Sequence, residues 1–115
     1  MIDSRRAGSN EVPIGAEAQR IVRVTIGGLV QGVGYRAWTE DEAQKRGVQG
    51  WVRNRSNGDV EALFAGPAQA VEALCELCWR GPPLARVEKV EVEQAEAAAP
   101  AEQGAGPGFR QIATI

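Results

Sequence analysis

The sequence predicts an α+β domain: a ferredoxin-like split βαβ sandwich, ordered β-α-β-β-α-β, with an antiparallel sheet carrying two helices on one face. Three observations predict it. Short segments alternate apolar and polar residues at strand period. Two other segments carry helical spacing or helical charge pairs. Glycine- and proline-bearing turns separate them in that order.

The first strand is the β-branched run Ile21 to Ile26, with Val22, Val24 and Ile26 on one face. It ends in Gly27-Gly28 and leads into a tight loop through Gly34, four glycines within eight positions. Tyr35 to Arg46 reads as a helix, because Asp41–Lys45 and Glu42–Arg46 are favourable i,i+4 pairs and Gly47 suits the position after its end. Gln49 to Arg53 is a second strand. Asn54 to Gly58 is a turn, with Asn57-Gly58 the positive-φ pair of a hairpin. Asp59 to Ala65 returns, with Val60, Ala62 and Phe64 on one face. Gly66-Pro67 opens a second helix, whose apolar stripe is Val71, Leu74, Cys75 and Cys78. Gly81-Pro82-Pro83 stops it, and Val87 to Glu93 alternates as a fourth strand. Residues 94–108 read as a loose loop, and Phe109 to Ile115 fits a short last strand. Residues 1–19 lack any period and are expected to be a flexible extension; the domain is expected over residues 20–115.

Composition narrows the function. There is no histidine, which removes every histidine base and histidine-ligated metal. Two cysteines cannot make a disulfide scaffold. No apolar run approaches a membrane span, and Met1 to Gln19 has no apolar stretch of the kind a secretory signal needs. Cytoplasm is therefore the expected compartment, with neither membrane nor nucleic acid as partner, since the net charge is −2. Charge is uneven, however. Residues 20–55 hold seven basic and three acidic side chains, and residues 56–115 four basic and nine acidic. An anionic ligand is drawn to the first half.

That half contains Gly28-Leu29-Val30-Gln31-Gly32-Val33-Gly34-Tyr35-Arg36. Glycines let successive N–H groups converge on an anion, a helix N-terminus adds partial positive charge, and Arg36 can grip two phosphate oxygens. No Gly-Lys-Ser/Thr ending follows, so no nucleotide and magnesium grip is implied. The same residues also fit an ordinary tight βα turn followed by an exposed arginine, and physics alone leaves both readings open. Asn54 is similarly open. It ends the second strand, where asparagine usually serves its turn; alternatively its amide orients a water.

The loop together with Gly50-Trp51-Val52-Arg53-Asn54 and Gly58-Asp59-Val60 resembles the two signatures of the acylphosphatase family. The resemblance extends over about Arg20 to Val92 and is weaker at Phe109 and Ile112. It implies hydrolysis of acyl phosphates to carboxylate and inorganic phosphate, without cofactor or metal. It implies that Arg36 binds the phosphate, that the backbone of Gln31, Gly32, Val33, Gly34 and Tyr35 completes the cradle, and that Asn54 positions the attacking water. Inorganic phosphate is then both product and inhibitor, and a monomer is the expected state. Tyr35 stands where the family more often has Phe. Trp38 and Arg46 also depart from the usual pattern.

Other features have bland readings. Cys75-Glu76-Leu77-Cys78 lies inside a helix on its apolar stripe, so core packing is expected rather than redox chemistry. Trp38, Trp51 and Trp79 read as packing or surface residues, and Arg53 and Arg55 as a solvated strand edge. An RNA-recognition module or a small-molecule regulatory module would share the topology. The former would need aromatics on the central strands, which offer only Phe64, on the core face.

Overall fold

The structure, a computed structural model, describes residues 18–96 and 108–115. Seven elements follow in order: β1 (Gln19–Leu29), α1 (Tyr35–Lys45), β2 (Gln49–Asn54), β3 (Val60–Pro67), α2 (Ala68–Cys78), β4 (Arg86–Gln94) and β5 (Phe109–Gln111). The five strands form one sheet ordered β4-β1-β3-β2-β5. β1 pairs antiparallel with β3 and β4, and β2 antiparallel with β3. This is the expected ferredoxin-like sandwich. The last strand adds to it at the edge, parallel to β2, through Gly50↔Phe109 and Val52↔Gln111.

Alternation builds the core. Val22, Val24 and Ile26 of β1, Val52 of β2, and Val60, Ala62 and Phe64 of β3 form one buried cluster with Tyr35 and Ala43 of α1 and Val71, Leu74 and Cys78 of α2. Both helices therefore cover the same face. The opposite face holds a second cluster, Trp51 and Leu63, with Ile21, Ala95 and Ile112 packed against it. Among the described residues no helix is long and apolar enough to cross a membrane.

Two breaks expected from glycine lie inside strands. β1 continues through Gly27-Gly28 to Leu29, and its register with β4 shifts between those two residues. The glycines make a bulge rather than a loop: Gly28 has φ 120°, and a Cβ there would sit 2.3 Å from the Arg86 carbonyl oxygen. Likewise β3 runs through Gly66 and Pro67, which pair with Arg20 and Gln19 before α2 starts at Ala68. The loop expected over 94–108 gives its first residue to β4, and residues 97–107 lie outside the described residues. Of the expected extension, residues 1–17 also lie outside, whereas Gln19 begins β1 and the Ala18 carbonyl accepts the Ala68 N–H at 2.9 Å.

Candidate active site

The site lies where β1 hands over to α1, beside the ends of β2 and β5. Gly32 (φ 77°) and Gly34 (φ 83°) take left-handed backbone that an L side chain resists. Gly34 is the residue before α1, no side chain caps the helix, and its first turn holds no acid. Aspartate or glutamate usually occupies that turn. Here the positive end of the helix is left open to an outside anion. Further along, Lys45–Asp41 at 3.1 Å and Arg46–Glu42 brace the helix at i,i+4.

The loop is held from both sides. Gln31 Nε2 donates to the carbonyls of Arg55 (2.7 Å) and Asp59 (2.8 Å), fastening the loop to the β2–β3 turn. The Tyr35 hydroxyl donates to the Cys78 carbonyl at 2.6 Å, fastening the start of α1 to the end of α2. Tyr35 is buried, and burial, reinforced by Cys78, raises its phenol above the ordinary value of 10.0. Its ring meets Trp38 at 5.3 Å, so both departures from the family pattern near the loop are accommodated by packing.

A cavity of about 130 Å³ opens there, lined by Val30, Gly32, Gly34, Tyr35, Arg36, Ala37, Asn54 and Gln111. That is well below the several hundred Å³ of a pocket for a drug-sized ligand, and suits a small anion with its water. The structure thus brings Gly32, Gly34, Tyr35, Arg36 and Asn54 to one place. The Gln31 and Val33 side chains serve elsewhere: Gln31 as the brace above, Val33 packed against the core. Val30, Ala37 and Gln111 were not singled out in the sequence. Gln111 shares a face of β5 with Phe109, which alternation indicates, but the strand's place beside β2 rests on pairing that no local pattern reveals.

Two groups in the pocket stand out by what they lack. Among the described residues, Arg36 has no ion pair or hydrogen bond through its side chain. The Asn54 amide has none either, and its Oδ1 is buried. The turn that Asn54 precedes is closed by others. Arg55 N–H donates to the Asp59 carbonyl at 2.8 Å, and the Asn57 Oδ1 accepts from the Asp59 N–H at 3.0 Å.

The expected solvated edge at Arg53 and Arg55 is overturned in part. Arg53 is 9% exposed and its Nε donates to Glu61 Oε1 at 2.8 Å, with Glu61 5% exposed. Arg55 reaches the same oxygen at 3.3 Å, and Arg23 Nε lies 3.5 Å from Oε2. Arg53 also stacks over Trp51, 4.8 Å from the ring centroid. Cross-strand pairing of Arg53 with Glu61 explains it, since a buried carboxylate needs a cation. Trp51 is buried, Trp38 packs on the core and Trp79 is exposed. Cys75 and Cys78 are free; burial pushes their thiols up to about 11 and about 12, so neither is an activated nucleophile.

A small cavity at an uncapped helix N-terminus, with an unpaired arginine among the described residues, on a split βαβ sheet, is the arrangement expected of a small anion-binding α+β domain. Comparison with known proteins makes this particular. The acylphosphatase family model matches residues 22–104. An acylphosphatase of Azorhizobium caulinodans is 51% identical over 94 residues, covering 82% of this chain and 96% of that relative. The structure of an acylphosphatase from Coxiella burnetii superposes with a TM-score of 0.73 at 33% identity, over 82% of this chain and 93% of the other. The crystal structure of acylphosphatase from Bacillus subtilis gives 0.70 at 33% identity, over 83% and 99%. The chain belongs to the acylphosphatase family, and it is a hydrolase of acyl phosphates.

Proposed function

We propose that the Gln31–Tyr35 backbone and Arg36 hold the phosphoryl group of the acyl phosphate, and that Asn54 orients the attacking water. The observation that carries this is the Asn54 amide. It lines the cavity without a partner among the described residues, while Asn57 and Gln31 do the work of holding the turn. An unpaired polar group beside an anion cradle is what a water-holding amide requires.

The chemistry asks little more. The water oxygen bonds to phosphorus as the bond from phosphorus to the carboxyl oxygen breaks. The carboxylate leaves with the electron pair, and both water protons end on phosphate oxygens. A carboxylic acid ionises near pH 4, so the leaving group needs no protonation. The phosphoryl transition state is loose, and charge stabilisation with positioning supplies most of the rate. Arg36 and the open end of α1 face the charge, and Asn54 fixes the nucleophile. A poor leaving group such as an alkoxide gets no acid from these residues, which confines the site to anhydrides.

In this reading residues 20–115 are the catalytic unit, the protein is a cytoplasmic monomer, and phosphate inhibits as product. Free thiols at Cys75 and Cys78 agree with a reducing compartment. The test is turnover of a chromogenic aryl acyl phosphate. EDTA should leave the rate unchanged, and inorganic phosphate should compete with substrate. Asn54→Ala should lower kcat on the order of 10²-fold while the phosphate inhibition constant stays near wild type. A folded Asn54→Ala protein with ordinary kcat would refute the water-holding role.

A further inference from the structure

We infer that Gln111 is a further catalytic residue, whose amide oxygen accepts a hydrogen bond from the attacking water, and that Glu40 is the positioning residue that turns that oxygen toward the site. The inference rests on the reading of Asn54 as the first water contact and adds what one amide cannot supply.

The placement comes from the edge strand. Gln111 pairs with Val52 in the parallel β2–β5 ladder, and Asn54 lies two residues beyond Val52 on the same face. Both side chains line the cavity that Gly32, Gly34 and Arg36 complete. Ile112 N–H donates to the Val52 carbonyl at 2.9 Å and Ile115 N–H to the Asn54 carbonyl at 3.2 Å, so β5 and its continuation are tied to the residues that carry Asn54.

The orientation of the amide follows from chemistry. Gln111 Nε2 donates to Glu40 Oε1 at 3.0 Å. An ionised carboxylate offers only acceptors, so it must face the NH₂ end of the amide. Gln111 is exposed at the mouth of the cavity, so Oε1 is left as the polar end without a protein partner among the described residues, within reach of water. Glu40 lies one helical turn after Arg36, so α1 carries both the phosphate grip and the support for Gln111.

A water has two lone pairs and two protons, and attack on phosphorus needs all four directions assigned. Asn54 Nδ2 donates to one lone pair. The other lone pair aims at phosphorus. One proton points to a phosphate oxygen, which receives it as the bond forms. The fourth direction, the second proton, needs an acceptor, and Gln111 Oε1 supplies it. Asn54 alone would leave the water free to turn about a single hydrogen bond. Two contacts fix its lone pair, and no proton leaves for a base.

The experiment is steady-state kinetics on one aryl and one alkyl acyl phosphate, with phosphate as inhibitor. Gln111→Leu should lower kcat about 10-fold on both substrates, with the phosphate inhibition constant within about twofold of wild type. Glu40→Ala, which leaves Gln111 in place, should lose several-fold. Glu40→Gln carries no more charge than Glu40→Ala but keeps an acceptor for Nε2, and should recover most of that loss. A structural role at the strand edge would lower stability without this split, so circular dichroism melts accompany each variant. Retained kcat in Gln111→Leu, or a KM change that follows the acyl group with kcat intact, overturns the inference. If Gln111→Leu fails to fold, equal rates for Glu40→Ala and Glu40→Gln overturn it. Asn54→Ala runs alongside: loss there with none at Gln111 sinks this inference alone, and loss at neither sinks the water-holding reading as well.

Discussion

Arg53 and Asn54 are neighbours in sequence and opposites in circumstance. On one face of the sheet, Arg53 is closed into a buried pair with Glu61, with Arg55 and Arg23 on the same carboxylate. On the other, Asn54 shares a cavity with Arg36, and neither side chain has a partner among the described residues. One strand thus presents a charge-saturated cluster, beside which the Trp51 indole Nε1 is buried without a partner among the described residues, and an unsaturated one within two residues. Desolvated polar groups are ordinarily paired, so the saturated cluster is explained by folding alone. The unsaturated one holds its groups open at a cost in stability, which makes sense if a phosphate and a water complete it. Charge by itself does not separate the two, because arginine stands in both.

The strongest way to break this comparison is at the saturated side. Glu61→Ala leaves Arg53 buried without its carboxylate, and losing one partner of a buried pair typically destabilises by about 3–5 kcal/mol. Urea unfolding should register that loss, while turnover per folded molecule stays near wild type. A large fall in turnover with little loss of stability would mean the cluster belongs to the chemistry after all.

Arg36→Ala tests the other side. No intramolecular bond of its side chain is lost among the described residues, so stability should change little. Activity should fall roughly 30- to several-thousand-fold, since a charge-assisted, partly desolvated contact is worth about 2–5 kcal/mol. Phosphate inhibition should weaken with it. Calorimetric titration of phosphate into the folded variant checks the binding directly.

These contrasts also explain what the sequence reveals. The core is legible because Val22, Val24, Ile26, Val60, Ala62 and Phe64 alternate, and alternation is a local signal. Gly28 and Gly66 mislead, because a glycine that permits close backbone approach inside a strand looks the same as one that ends it. The Arg53–Glu61 pair is readable in principle: a hairpin turning around Asn57 sets residue 53 opposite residue 61. Local reasoning about a strand edge misses it. Arg36 and Asn54 are another case. Physics alone leaves each with an ordinary alternative, and only the family signatures select the chemical one. Gln111 lies beyond both kinds of evidence, since a three-residue parallel strand owes its place to partners more than 50 residues away.

Between the extremes stands Tyr35, which lines the cavity yet has its hydroxyl fully engaged. Tyr35→Phe removes one neutral buried hydrogen bond, worth about 1 kcal/mol. For a domain of this size that is a fall in Tm of roughly 4–8 °C. Loss of stability in that range, read by circular dichroism, would assign the hydroxyl to the saturated class.

The smallest effect at neutral pH belongs to the two thiols, and it grows only in alkali. Both lie on the apolar side of α2, away from the cavity. In the unfolded chain each ionises from about 9.0. In the fold, burial holds the proton until about 11 at Cys75 and about 12 at Cys78. The folded state therefore binds protons that the unfolded state releases. Their contribution is complete below pH 9 and is lost as pH rises through 9 toward the folded values. Cys78, nearly fully buried, should subtract about 1.4 kcal/mol per pH unit across that window. Cys75 should subtract less, because solvent screens a half-buried group. Urea unfolding at intervals from pH 8 to 10.5 reads the slope, and Cys78→Ala at the same pH values should flatten it while lowering the overall level. A slope that persists unchanged in Cys78→Ala would move the effect to other groups and leave the thiol without a part in alkaline unfolding.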